Sequence, residues 1–213
     1  MSLDSAFRPE GNTVLVVATS STGGTATHQT NGACVDMVVT GSVGSRVVRQ
    51  TRRYIPYQPG KMLEVLETGI LQLVITAGIR SRIGFMDNSS DKSVDSGGDG
   101  VFFQHDGTTA SVVLRSFVTG SQVDTVVNQA NWNVDPMNGT GPSGYTADWT
   151  KRQIFGIQLQ WLGVGDVVLG LSIDRKLWPV HIFANPNNGV QFPYMRKAYL
   201  PVRYEIQNIS SGT

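Results

Sequence analysis

The stretch Trp132–Ile173 reads WNVDPMNGTGPSGYTADWTKRQIFGIQLQWLGVGDVVLGLSI, and its second half decides the fold. From Gln153 to Leu162 and from Val167 to Ile173 apolar residues alternate, which places Ile157, Leu159 and Trp161 on one face of an extended strand. Gly163-Val164-Gly165-Asp166 between the two runs has the composition of a hairpin turn, and it lacks the lysine of a phosphate loop. The stretch therefore predicts a polar, Gly-rich loop feeding a buried β-hairpin. It holds three of the four tryptophans and seven of the 24 glycines. Trp161 is expected in the core, whereas Trp132 and Trp149 bracket the loop and are expected to be partly exposed. Within the loop, Gly139-Thr140-Gly141-Pro142-Ser143-Gly144 has the spacing of a dinucleotide-binding glycine motif. That chemistry needs a helix N-terminus after the glycines, but here Pro142 lies inside the motif and a strand-like run follows it, so a turn needing positive φ is the reading.

Outward from this hairpin the chain continues in short β-branched runs separated by turn signals. Val14–Ala18, Cys34–Thr40, Ser42–Gln50 and Arg82–Met86 read as strands, as do Val101–His105, Ala110–Phe117, Gln122–Val127, Leu177–Phe183 and Val202–Ile206. His105-Asp106-Gly107-Thr108 is a hairpin signal. Met62–Ala77 has helix formers, but Gly69 interrupts it and Leu71, Leu73 and Ile75 alternate, so two strands are expected. Thr51–Lys61 contains two prolines and reads as an extended connection. The pattern predicts a single antiparallel β-sandwich of jelly-roll or lectin-like type with a polar N-terminal arm. Residues 1–33 form that arm, with one short strand and a flexible Ser/Thr/Gly-rich loop; residues 34–206 form the sandwich; residues 207–213 are a polar tail.

Charged residues make up 15% of the chain, below the usual value of about 25%, so Ser, Thr, Asn, Gln and Gly must cover much of the surface. A net charge of +1 gives no general attraction to nucleic acid. The lone Cys34 excludes an intrachain disulfide and a Cys-rich zinc site. No charged segment followed by an apolar run opens the chain, and no apolar run approaches the roughly 18 residues of a membrane span, so neither a secretion signal nor a membrane partner is expected.

Three clusters carry candidate contacts. Arg46, Arg49, Arg52 and Arg53, with Tyr54 and Tyr57 behind them, form a basic and aromatic run. Strand alternation splits it, putting Arg46 and Arg52 on one face and Arg49 and Arg53 on the other, which favours protein contacts over a nucleic-acid groove. Asp87, Asp91, Asp95 and Asp99 lie in a polar segment read as an exposed loop and are the only calcium candidates, with a spacing that fits no EF-hand. Trp132 and Trp149 are the candidate glycan-stacking platform. No catalytic residue is assigned: His28, His105 and His181 sit in no catalytic motif, and nothing pairs Glu64, Glu67 or Glu205 across a cleft. No cofactor is expected.

The blocks TRRYIPYQPGK (Thr51–Lys61), DGVFFQHDGTTASVVLRSFVTGSQVDTVV (Asp99–Val127), WNVDPMNGTGPSG (Trp132–Gly144), TKRQIFGIQLQWLGVG (Thr150–Gly165) and YLPVRYEI (Tyr199–Ile206) resemble a group of virion structural proteins of tailed bacteriophages, including cyanophages, with relatives in large DNA viruses. The resemblance implies a non-enzymatic capsid-stabilising, decorating or tail subunit, located in the virion after assembly in a host cytoplasm. Its implied partners are copies of itself and other virion proteins. The alternative is a carbohydrate-binding module that meets a host surface glycan.

Overall fold

The computed structural model describes residues 22–88, 95–161, 165–187 and 192–210 in full, and residues 15–19 as backbone. The described residues form thirteen strands: β1 (Leu15–Thr19), β2 (Thr25–Gln29), β3 (Cys34–Val38), β4 (Arg46–Thr51), β5 (Leu63–Gly69), β6 (Ile79–Met86), β7 (Gly100–His105), β8 (Ala110–Ser116), β9 (Val123–Asn128), β10 (Gln153–Leu159), β11 (Val167–Ile173), β12 (Lys176–Phe183) and β13 (Val202–Asn208). Among the described residues helix is confined to one 3₁₀ turn, Gln129–Asn131. Every strand pairing is antiparallel. A seven-stranded sheet in the order β1-β4-β13-β6-β7-β8-β9 packs on a four-stranded sheet, β12-β11-β10-β5, and β2 and β3 form a separate hairpin. This is the expected antiparallel sandwich.

The core follows from the period of two. Ile83 and Phe85 of β6, Val101 and Phe103 of β7, Val112 and Leu114 of β8 and Val202 of β13 point inward from the larger sheet. They meet Val65 of β5, Phe155, Ile157 and Leu159 of β10, Leu169 and Leu171 of β11, and Val180 of β12. The hairpin that decides the fold is β10–β11, in register from Phe155↔Leu171 to Leu159↔Val167; its residues 162–164 lie outside the described residues. Pro179 sits in β12, an edge strand, opposite a register irregularity between Leu169 and Gly170, where its missing N–H costs little.

Three expectations change. The Thr19–Ala33 run is not only loop: Thr25–Gln29 pairs with β3 from Thr25↔Val38 to Gln29↔Cys34, so the boundary set at residue 33 falls inside a hairpin. The second strand expected within Met62–Ala77 does not form. Only Leu71 of its alternating residues is buried, and the Gln72 side chain donates to the Ile79 carbonyl and accepts from Thr76 N, closing residues 70–78 into a loop. That leaves Leu73 and Val74 71% and 73% exposed. The segment around Asp87–Gly100 is not simply an exposed loop: of its described residues Asp87, Asn88 and Asp99 are buried, while Ser96 is exposed.

The glycine-rich loop of Trp132–Thr150 folds onto the core. Gly139 and Gly144 adopt φ of 86° and 65°, as the turn reading required. The Asp135 carboxylate accepts from Met137 N and Ser143 N, both at 2.8 Å, and so holds the turn closed. Trp132 and Trp149 are consequently buried, 5% and 7% exposed, and meet edge to face at 6.0 Å. Their indole N–H groups donate to Val127 O and Gln129 Oε1, each at 3.0 Å, which satisfies them without water. Trp161, expected as the buried anchor, is half-buried against the core and donates to Met195 O at 3.2 Å.

Candidate binding face

Inward-pointing Ile83 and Phe85 force Arg80 and Arg82 to the opposite face of β6, and the same alternation sends Arg46, Arg115, Arg203 and Glu205 outward from β4, β8 and β13. The outer face of the seven-stranded sheet thus gathers five arginines from four strands. Two carboxylates stand at the centre. Glu205 meets Arg46 Nη2 at 2.7 Å, Arg203 Nη2 at 3.0 Å and Arg82 Nη1 at 3.3 Å. Asp95 meets Arg80 Nη2 at 2.5 Å, Arg82 Nη1 at 2.8 Å and Arg115 Nη1 at 2.9 Å. Arg115 also grips Asp124 of β9 with two parallel bonds of 2.8 Å. The fork geometry of guanidinium suits this two-point contact.

Phe102 lies beneath the array, its ring 5.0 Å from the Arg82 and 5.3 Å from the Arg115 guanidinium carbon. Gly84, the cross-strand partner of Phe102 and Arg203, makes room for it: a Cβ there would lie 2.5 Å from Val101 O and 2.6 Å from Phe102 Cα.

The array sets the ionisation of its members. Burial pushes the Asp95 carboxyl up, but Arg82, Arg115 and Arg80 together override it and hold the group far below the usual carboxylate range. Glu205 behaves alike: burial is overcome by Arg203, Arg82 and Arg46, which bring it down to about 2. Arg80 is lowered to about 10 by burial and then by Arg82 beside it. These carboxylates stay ionised and occupied.

Beside the array, at the end of β4 and β13, Asp87 accepts from Tyr54 Oη and from Lys197 Nζ, both at 2.8 Å. Burial, followed by this bond to Asp87, raises the Tyr54 phenol to about 12. Tyr199 tilts against Tyr54 at 6.0 Å and is 54% exposed, presenting an aromatic face to solvent.

The sequence-based candidates scatter. Arg46 belongs to the buried array, Arg49 points the other way into the sandwich, and Arg52 and Arg53 are exposed beyond the end of β4. Tyr54 joins Asp87, and Tyr57 packs edge-on against Trp161 at 6.1 Å. The six residues thus serve separate sites, and Arg46 and Arg49 fall on opposite faces of β4 as alternation requires. The calcium reading is corrected for the described carboxylates. Asp87 serves Tyr54 and Lys197, Asp95 serves the arginines, and Asp99 Oδ1 accepts from Phe117 N at 2.9 Å and Arg196 N at 3.2 Å. Asp91 lies outside the described residues. Among the described residues no three His, Cys, Asp or Glu side chains converge on a metal position. The glycan platform is corrected too, because Trp132 and Trp149 face each other in the core. His105 and His181 use Nδ1 to accept from Gly107 N and Asn133 N, which are structural bonds. Arg80, Arg82, Arg115, Arg203 and Asp124 were missed. The signal was arginine at outward positions of several strands, in IRSRIGF, VLRS and VRYEI.

No protein-family model matches the chain, and no curated protein matches it in sequence. Solved structures do match in shape. A β-glucanase of Bacillus licheniformis aligns with a TM-score of 0.51 at 12% identity, covering 95% of this chain and 83% of its own. A legume lectin-like domain from Entamoeba histolytica aligns at 0.49 and 11%, covering 97% of this chain and 88% of its own. A glycosidic hydrolase aligns at 0.43 and 14%, covering 92% of this chain and 84% of its own. At 12% identity the likeness to the β-glucanase shows a shared jelly-roll sandwich fold alone. Among the described residues no helix is long and apolar enough to cross a membrane.

Proposed function

We propose that the chain is a non-catalytic virion structural subunit that works through contacts with copies of itself and with other virion proteins. The observation that carries this reading is the open end of the seven-stranded sheet. Strand β9 (VDTVVN) closes the sheet on one side with Val123 and Val126 about half-exposed, and it contains no lysine, proline or bulge. Its acidic residue, Asp124, is consumed by Arg115. Isolated domains usually blunt such an edge; one left apolar and regular suits pairing with another chain. The low charge content and the phage-like sequence blocks agree with it. A glycoside hydrolase would need one carboxyl held protonated beside a second held ionised. On this sheet face Asp95 and Glu205 are both held ionised by arginine, which supports contact over hydrolysis.

Size-exclusion chromatography with light scattering tests the reading, using the wild-type chain and Val126→Lys. An oligomer that Val126→Lys dissociates is the expected result, together with the chain's presence in purified particles. A monomer that is absent from particles defeats it. Carbohydrate recognition is kept as a second reading because Tyr199 offers an exposed ring beside Lys197. Glycan-array binding that disappears in Tyr199→Ala would favour that reading.

A further inference from the structure

The two sheets differ in width. β5 and β10 lie over β6, and β10 and β11 over β7, so the inner faces of β13 and β4 overhang the smaller sheet. The β2–β3 hairpin, paired to neither sheet, covers this overhang as a flap. Between flap, overhang and the loop after β5 lies a cavity of about 890 Å³. That is within the range of roughly 300–1,000 Å³ typical of small-molecule sites. Met37 and Val38 from β3, Leu71 and Val74 from the loop, and Ile83 and Ile206 from the larger sheet make its walls apolar.

One wall carries a charge without a counter-charge. Arg49 projects from the inner face of β4, opposite in direction to Arg46, and makes no ion pair among the described residues; its Nε is buried with no acceptor. Among the described residues its neighbour Tyr204 hydrogen-bonds to Thr68 O alone, at 3.4 Å. Other ionised groups along the cavity do not neutralise Arg49. The charged ends of Arg82 and Glu205 are in the array on the far side of the sheet, and Asp36 is exposed on the flap. Arg152 adds a second cation, whose Nη2 reaches Gly32 O at 3.4 Å. Glu67, turned inward from β5 near Tyr204, has neither oxygen bonded and makes no ion pair with Arg49, and burial raises its carboxyl well above the usual range. An unpaired guanidinium in an apolar pocket is the recognition element for an anion with an apolar body.

We propose that this cavity is a binding site for an acyl carboxylate: a medium-length hydrocarbon chain lying against the apolar walls, with its carboxylate on Arg49. The site is separate from the β9 edge and does not depend on subunit contacts there.

Isothermal titration of the full chain with dodecanoate, and in parallel with dodecanol, tests it. Saturable one-to-one binding of dodecanoate is expected, at least tenfold tighter than dodecanol. Arg49→Gln should weaken dodecanoate at least tenfold, or about 1.4 kcal/mol, and leave dodecanol unchanged. Val35→Trp on the flap should weaken both by filling the cavity. Circular dichroism establishes that each variant is folded, and the preference for carboxylate over alcohol in the wild-type chain needs no variant. Absence of saturable dodecanoate binding below about 1 mM, equal binding of acid and alcohol, or an unaltered affinity in folded Arg49→Gln overturns the proposal.

Discussion

Replacing Asp95 by Asn keeps its size and removes its charge from the centre of the arginine array. Three guanidiniums lie against this carboxylate, with N–O distances of 2.5, 2.8 and 2.9 Å. With charge centres roughly 4 Å apart, each attraction is about 4 kcal/mol at an effective dielectric near 20. Desolvation of four ionised groups and repulsion among the arginines offset most of the sum. Removing one member of a buried pair then leaves a net loss of about 3–5 kcal/mol. The Asp95 side chain is 14% exposed, so solvent screening reduces this little. The pH dependence has a definite sign. Arginines depress the folded carboxyl below its ordinary 3.8, so its contribution is complete above that value and is lost as pH falls beneath it. The loss runs at about 1.4 kcal/mol per pH unit, so at about pH 2.4 the gap between wild type and Asp95→Asn narrows by about 2 kcal/mol. Urea unfolding of both proteins at pH 7 and at about pH 2.4, at constant ionic strength, measures it. A loss below about 1 kcal/mol at pH 7, or a gap that does not narrow in acid, refutes the reasoning.

Trp132→Ala should cost about 3–5 kcal/mol in chemical denaturation, as truncation of a buried aromatic does. Trp161→Ala, at a half-buried site, should cost clearly less, and the reverse order would show the burial of the two rings to be misjudged. Glu67→Met should raise stability at pH 7 by about 1–3 kcal/mol, because it removes an unbonded buried carboxyl. The wild-type carboxyl, raised in the folded state, loses stability as pH climbs above its ordinary 4.5, so the gain should shrink toward pH 4.5; a pH-independent gain would contradict this. Gly84→Ala drives a methyl into the backbone of β7 and should cost about 3 kcal/mol, at the upper end for overpacking, with thermal unfolding as the readout.

Much of the sandwich is legible in single strands. Period-two alternation gives the inward faces of β6, β7, β8, β10 and β11, and it also separates Arg46 from Arg49, which the fold places on opposite sides of β4. What alternation cannot give is which outward residues meet. Arg46 and Glu205 are 159 positions apart and bond only because β13 inserts beside β4. The tryptophans of the glycine-rich loop mislead for a related reason: loop composition predicts exposure, but Asp135 folds this loop inward and carries both rings with it. The residues 70–78 fail as a strand because the bonding of Gln72, a tertiary choice, overrides a good local pattern.

The position of β13 has a consequence for how the chain is made. β13, the last described strand, is the third in the sheet, hydrogen-bonded to β4 on one side and β6 on the other. Until it emerges from the ribosome, two central strands face each other across an empty slot, and Arg46 and Arg82 wait without Glu205. Long-range closure of this kind is slow, and open strand edges aggregate while it is pending. While that slot is open the edges of β4 and β6 are unpaired, so a product cut short before Val202 should aggregate or be degraded rather than fold.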